Sequence, residues 1–219
     1  MVNQLLTLSH TIAAPLFESY TYPWEALPHI KEFIIKCGRS LPEEEYNKRS
    51  ENVWVHKSAR VAPSAFIGDL IIIGPQAEIR HCAFIRSSAI VGCAAVVGNS
   101  TELKNVVLFN EVQVPHYNYV GDSILGYKSH MGAGSITSNI KSNKTLVVVK
   151  NGSESLETGL RKFGAILGDH VEVGCNSVLN PGSIIGRGTQ VYPLSMVRGC
   201  IPADSIYKCK SDIVKMREE

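Results

Sequence analysis

From Val61 onward an apolar residue returns every six positions, through Ile67, Ile73, Ile79, Ile85, Val91, Val97 and Leu103 to Phe109. Four places after most of these stands a small or β-branched residue: Ala65, Ile71, Ala77, Ala83, Ala89, Ala95, Thr101, Val107. Polar residues fill the places between. The period resumes as Leu167, Val173, Leu179, Ile185, Val191 and Val197. Six residues is neither a helical period nor the alternation of a half-buried strand, so the pattern predicts a repeat architecture, a parallel β-solenoid of hexapeptides. Each hexad is one short strand and a corner, three hexads close a coil, and successive coils pair at a spacing of about 4.8 Å. Apolar residues at the repeat position fill the prism, and only small side chains fit beside them. Glycine follows the apolar residue at Gly68, Gly74, Gly92 and Gly98, where the expectation is a corner with positive φ.

Outside the period the chain reads differently. Residues 1–52 form an N-terminal segment in which Tyr22 to Cys37 carries Leu27, Ile30, Phe33 and Ile34 at helical spacing between Pro23 and Gly38. One amphipathic helix capping the open end of the solenoid is expected there, with a second short helix starting at Pro42. The solenoid is assigned to residues 53–201. Between Phe109 and Leu125 its frame slips, and Leu125, Met131 and Thr137 resume two residues early. Residues 140–163 are a polar insertion too long for a corner, which predicts a protruding loop. Residues 202–219 read as a polar tail that the pattern assigns to neither helix nor strand.

Composition narrows the function. A chain of 219 residues with 44% hydrophobic content builds one substantial core. A formal net charge of +2 offers no basic stripe for nucleic acid, and no apolar run approaches a membrane span. The first residues lack a basic leader pattern, so a cytoplasmic protein is expected. Six scattered cysteines include no Cys-x-x-Cys pair, and several fall within the period as small hydrophobes.

The candidate chemistry gathers at the frame slip. Pro115-His116-Tyr117-Asn118-Tyr119-Val120-Gly121-Asp122 is followed by Met131-Gly132-Ala133-Gly134-Ser135-Ile136-Thr137-Ser138-Asn139. Over roughly residues 55–205 the chain resembles the acetyltransferase half of the bifunctional N-acetylglucosamine-1-phosphate uridylyltransferases, and still more the archaeal sugar-1-phosphate nucleotidylyltransferases that carry an amino-sugar acetyltransferase domain. The resemblance implies an all-β, left-handed parallel β-helix, acetyl-CoA as acetyl donor and an amino-sugar 1-phosphate as acceptor. Glucosamine 1-phosphate comes first and galactosamine 1-phosphate second. It implies His116 as general base, suited to an ammonium that must lose its proton as it attacks a thioester. For the acceptor it implies Arg80 and Lys104 at the phosphate, Tyr119 beside them, His130 where the bacterial enzymes have asparagine, and Lys144 from the loop. For the donor it implies Ala133, Asn139, Ile140, Cys175 and Pro193, three of them by position only, since Ile140, Cys175 and Pro193 replace an aromatic, a serine and an alanine. Arg187, Arg198, Lys208 and Lys210 are candidates for a cationic mouth at the nucleotide end of the donor. A homotrimer is expected and no metal is required.

Residues 1–60 hold no Gly-rich nucleotide loop, so no pyrophosphorylase activity is expected of them. Two other readings stand beside this one. A scaffold or binding module would share the solenoid without the chemistry, partnering a separate nucleotidyltransferase. A γ-type carbonic anhydrase would need three histidines on zinc; His81, His116 and His130 are the candidates, without that family's close His pairing.

Overall fold

In a computed structural model, which describes residues 1–209 and 211–216, the chain is a left-handed parallel β-helix with a helical flank. Lys210, one of the candidates for the cationic mouth, lies outside the described residues. Strand pairing runs coil to coil in three columns. One face stacks Val61, Ile79, Val97, then Met131, Val173, Val191 and Tyr207. A second stacks Ile67, Ile85, Leu103, Val120, then Thr137, Leu179 and Val197. The third stacks Val55, Ile73, Val91, Leu108, Leu125, Leu167, Ile185 and Ile201. From Ile79 onward nearly all of these side chains are almost fully buried.

The slip is two five-residue steps, Leu103 to Leu108 and Val120 to Leu125. The inward residue is therefore Leu108, and Phe109, the expected ninth member of the series, points outward. It is buried there against Phe17 of the N-terminal segment, with ring centroids 5.8 Å apart. By the same shift Val106 stacks in register with Ile71 and Ala89 at the small site, and Val107 faces outward. Some small sites occupied by Ser or Thr are satisfied from inside: Thr101 Oγ1 donates to Val114 O at 3.0 Å and Ser183 Oγ to Asn180 O at 2.7 Å, whereas the buried hydroxyls of Ser129 and Ser195 have no hydrogen-bond partner among the described residues.

Positive φ does not fall on the four glycines. It falls two residues later, on Leu70, Gln76, Ala94 and Ser100. Glycine is required for a different reason, the close approach of the next coil. A Cβ on Gly68 would strike the carbonyl oxygen of Arg86, and one on Gly98 the carbonyl of Pro115.

The N-terminal segment covers a side of the prism and not its end. The single expected helix is broken into a 3-10 stretch Pro23–His29 and a helix Ile30–Gly38, because Pro28 has no N–H to give. These elements lie over the third face, whose outward residues Ile72, Ile90, Val107, Ile124 and Ile166 are buried together with Trp24, Leu27, Ile30 and Ile34. Pro42 opens a turn instead of a helix, and Tyr46–Ser50 is a strand, antiparallel to Val53–His56, that closes the edge of the sheet. At the far end Ser205–Cys209 continues the coil and Asp212–Lys215 folds back on it, so much of the assigned tail is strand.

The insertion is a hairpin, Val148–Asn151 with Glu154–Glu157. Its tip is exposed, while Val147 and Val149 at its base are buried. No helix among the described residues is long and apolar enough to cross a membrane.

The three faces differ outside the prism. The third is covered. The first is polar, presenting Arg60, Glu78, Val96, Gln113, His130, Glu172 and Gln190. The second is open and mostly apolar, presenting Phe66, Phe84, Glu102, Tyr119, Ile136, Val178 and Met196. Phe66 and Met196 are 59% and 64% exposed.

Candidate functional site

Residues a whole coil apart stack, and this sorts the candidates onto two corners, one at each edge of the open face. At the first corner, where the polar face turns into the open one, His116 follows Asn99 in register. Below it the carbonyls of His116, Ala133 and Cys175 accept hydrogen bonds from the amides of Gly134 (3.0 Å), Asn176 (2.9 Å) and Leu194 (2.9 Å). His116, Ala133, Cys175 and Pro193 therefore form one ladder over four successive coils. The His116 ring is exposed, as are Cys175 and Pro193. Its backbone is held by a buried neighbour, since His116 N donates to Asn118 Oδ1 at 3.1 Å while Asn118 Nδ2 donates to Gly132 O and Ser135 O. Asn118, named above only as part of the motif, is thus the side chain that fixes this corner.

At the second corner, between the open and covered faces, Lys104 lies in register with Gly121. Its ammonium donates to both oxygens of Asp122, at 2.9 and 3.0 Å. The same carboxylate, 5% exposed, accepts from Asn105 Nδ2 at 3.0 Å and from Asn139 Nδ2 at 2.5 Å. Asn139 Nδ2 also donates to the Tyr119 hydroxyl at 3.2 Å. Tyr119 stands on the open face between the corners. Burial, and then the charges of Asp122 and Glu102, push its phenol above the ordinary range, so it is a neutral hydrogen-bonding group at neutral pH.

Several expected groupings do not form within the chain. Arg80 sits at the first corner, bonded to Glu78 at 3.3 Å, and does not converge with Lys104. The cation on the coil above is Arg86, next to Ser87, the register partner of Lys104; it is more than half exposed and 3.4 Å from Glu102. Arithmetic held the signal: Arg86 precedes Lys104 by one full coil of eighteen residues, whereas Arg80 precedes it by four hexads and so turns onto another corner. His130 lies on the polar face, its Nδ1 2.7 Å from Glu172 Oε2, away from Tyr119. Asn139 and Ile140 are at the second corner, apart from Ala133, Cys175 and Pro193. Lys144 lies in the exposed turn that opens the insertion.

The cationic mouth is dispersed. Arg187 is tied to Asp169 at 3.2 Å and to Thr7, Lys208 pairs with Asp212, and Arg198 lines a shallow cleft with Ser138, Ile140, Lys141 and Asn180. His81 shares the first corner with His116 but lies two coils above it. Among the described residues no three His, Cys, Asp or Glu side chains are grouped to hold a metal.

Comparison with known proteins finds relatives of this chain. A Methanococcus aeolicus protein described as bifunctional protein GlmU is 34% identical over 122 residues, 55% of this chain and 29% of its own length. A protein of the same description from Methanococcus maripaludis strain C5 is 29% identical over 88% of this chain and 47% of its own. A bifunctional sugar-1-phosphate nucleotidylyltransferase/acetyltransferase of Sulfurisphaera tokodaii is 32% identical over 50% of this chain and 27% of its own. The chain thus spans less than half the length of these curated relatives. The family model described as the GMPPB C-terminal domain matches residues 72–185, more than half of the chain and the body of the solenoid, and to that family of hexapeptide-repeat β-helices the protein belongs.

Proposed function

We propose that this chain transfers an acetyl group from acetyl-CoA to the amine of an amino-sugar 1-phosphate, glucosamine 1-phosphate first. The observation that carries the reading is the ladder at the first corner, where four of the six residues that the resemblance assigns to base and donor stack over four successive coils. The GlmU and nucleotidylyltransferase/acetyltransferase descriptions of its relatives agree with an acetyl transfer on a sugar.

In the proposed reaction the substrate ammonium gives a proton to neutral His116, and the nitrogen lone pair attacks the thioester carbonyl. The tetrahedral adduct loses a second proton from nitrogen and collapses with cleavage of the C–S bond; CoA leaves as a thiol carrying one of the two protons, and the other passes to solvent. A positioned base of this kind contributes about 10²–10⁴-fold. The Tyr119 hydroxyl lies between the two corners, where an acceptor anion would rest, with Arg86 in place of Arg80 as the cation above Lys104. Lys104 is already committed to Asp122, so Arg86 is the freer of the two. No metal takes part in the scheme.

The two corners stand at opposite edges of the open face, His116 on one and Asn139 on the other. A single copy does not join them into one groove. Packing the open apolar face against another copy would bring the first corner of one chain to the second corner of its neighbour, and a closed threefold ring does so for every chain. The reading therefore includes a homotrimer working in the cytoplasm.

The test is release of CoA thiol from acetyl-CoA across a panel of amino-sugar 1-phosphates and free amino sugars. Turnover of a phosphorylated acceptor is expected; thiol release with no acceptor in the panel would refute the reading. A scaffold would release none.

A further inference from the structure

Asp122 is the most buried charge at the second corner, and its partners restrict one another. A carboxylate only accepts hydrogen bonds, so the end of Asn139 that meets it must be the amide nitrogen. Both hydrogens of that nitrogen are then in use, one on Asp122 and one on the Tyr119 oxygen. Two groups remain uncommitted: the carbonyl oxygen of Asn139, which can only accept, and the hydroxyl hydrogen of Tyr119, which can only be donated. Lys104 and Asn105 complete the carboxylate from the other side, and Asn105 Nδ2 reaches Leu27 O of the N-terminal segment at 3.2 Å.

We infer that Asp122 is a positioning residue that sets the polarity of this corner, holding Asn139 as an acceptor for an N–H of the bound ligand and Tyr119 as a donor to an anionic or carbonyl oxygen beside it. The inference rests on the proposed acetyl transfer for its ligands, an amide-bearing acyl donor and an amine-bearing phosphorylated acceptor. Lys104 on this view is the counter-ion of the buried carboxylate, and it acts on the ligand only through that carboxylate. The N-terminal segment takes part as well, because Leu27 orients the Asn105 amide against Asp122.

The experiment compares Asp122→Asn in two backgrounds, using acetyl-CoA and glucosamine 1-phosphate. In the otherwise unaltered protein the substitution frees the Asn139 amide to turn over, and kcat/KM is expected to fall at least tenfold. In an Asn139→Ala background there is no amide left to orient, so the same substitution is expected to cost less than threefold. A merely structural carboxylate would cost the same in both, and equal losses would overturn the inference. So would unaltered turnover by Asp122→Asn.

Thermal unfolding supplies a measure independent of activity. Asn139→Asp sets two carboxylates face to face and should lower the midpoint, and Asp122→Asn should lower it by putting a donor in place of one of the two accepting oxygens. The exchange of both, Asp122→Asn with Asn139→Asp, restores a donor against an acceptor and should melt above either single variant. If it melts below both, the assigned orientation is wrong. Should the unaltered protein transfer no acetyl group to any acceptor, the proposed function fails, while the melting cycle still decides the orientation of Asn139.

Discussion

The two corners that flank the open face are built on opposite plans. At the His116 corner the ladder of His116, Ala133, Cys175 and Pro193 is small and mostly exposed, cross-linked between coils by backbone hydrogen bonds and by the buried Asn118 side chain. At the Lys104 corner three side chains converge on one buried carboxylate, and a fourth, Tyr119, is reached through Asn139. The first is a groove with one titratable side chain at its head, and the second is a rigid polar bracket. A transferase needs both, an open track for a long donor and a fixed frame for a small acceptor. The hexapeptide repeat supplies them at adjacent corners because residues a third of a coil apart leave the prism in different directions.

The sharpest break in this comparison is His116→Ala. It should lower acetyl transfer by 10²-fold or more while acetyl-CoA binding, read by calorimetry, stays within about threefold, because the base acts on the acceptor. A loss below about tenfold would assign His116 to structure.

Met196→Glu tests whether the corners of two copies must meet. Met196 is 64% exposed on the apolar face, and a carboxylate there would be buried and unpaired in a packed ring. Light scattering should fall from a trimer to a monomer mass, with activity lost in parallel. A monomeric unaltered protein that retains activity would refute the shared site.

Arg86→Ala and Arg80→Ala separate the corners by charge. Loss of a charged hydrogen bond is worth roughly 1.5–3 kcal/mol, so Arg86→Ala should cost at least about tenfold in kcat/KM with glucosamine 1-phosphate. It should cost little with free glucosamine. Arg80→Ala should change neither by more than about threefold. The reverse pattern would return the phosphate to the first corner.

The smallest effect is chemical labelling. Cys175 is exposed on the donor ladder, whereas burial pushes the Cys200 thiol up to about 11. Since only the thiolate alkylates, Cys200 should be the slowest cysteine at pH 8, with roughly 0.1% ionised. Acetyl-CoA should slow labelling of Cys175 and leave that of Cys82, exposed near the top of the solenoid, unchanged. Equal protection of both would place the donor elsewhere.

Much of the solenoid was legible because its signal is one-dimensional. A strict period makes Ile73, Val91 and Leu167 inward whatever surrounds them, and it also announces where the chain departs, at the slip and at the insertion. The period failed where length changed by one residue. Phe109 fitted the count, yet the five-residue step from Leu103 moved the inward place to Leu108 and left Phe109 to meet Phe17. The candidate site was legible as residue types on a motif, but not as pairings. Arg80 and Lys104 both follow inward residues, and only the division of their separation by the coil length shows that they do not stack. Asp122 was visible as part of the motif without a role, because its partners Asn105 and Asn139 come from the coils on either side of it.

By itself the sequence determined the repeat, the inward columns and the stretch of chain that carries the chemistry, all of which follow from local spacing. Tertiary structure alone decided which face the N-terminal segment covers, and hence which face stays open. Burying Ile72, Ile90 and Ile124 under Trp24 and Ile30 is a packing choice among three similar faces. It also decided that glycine at Gly68 and Gly98 answers to the neighbouring coil and not to its own φ, and that Lys104 is bound to Asp122. Those outcomes depend on atoms about eighteen residues or more away along the chain, brought near only when one coil closes over another.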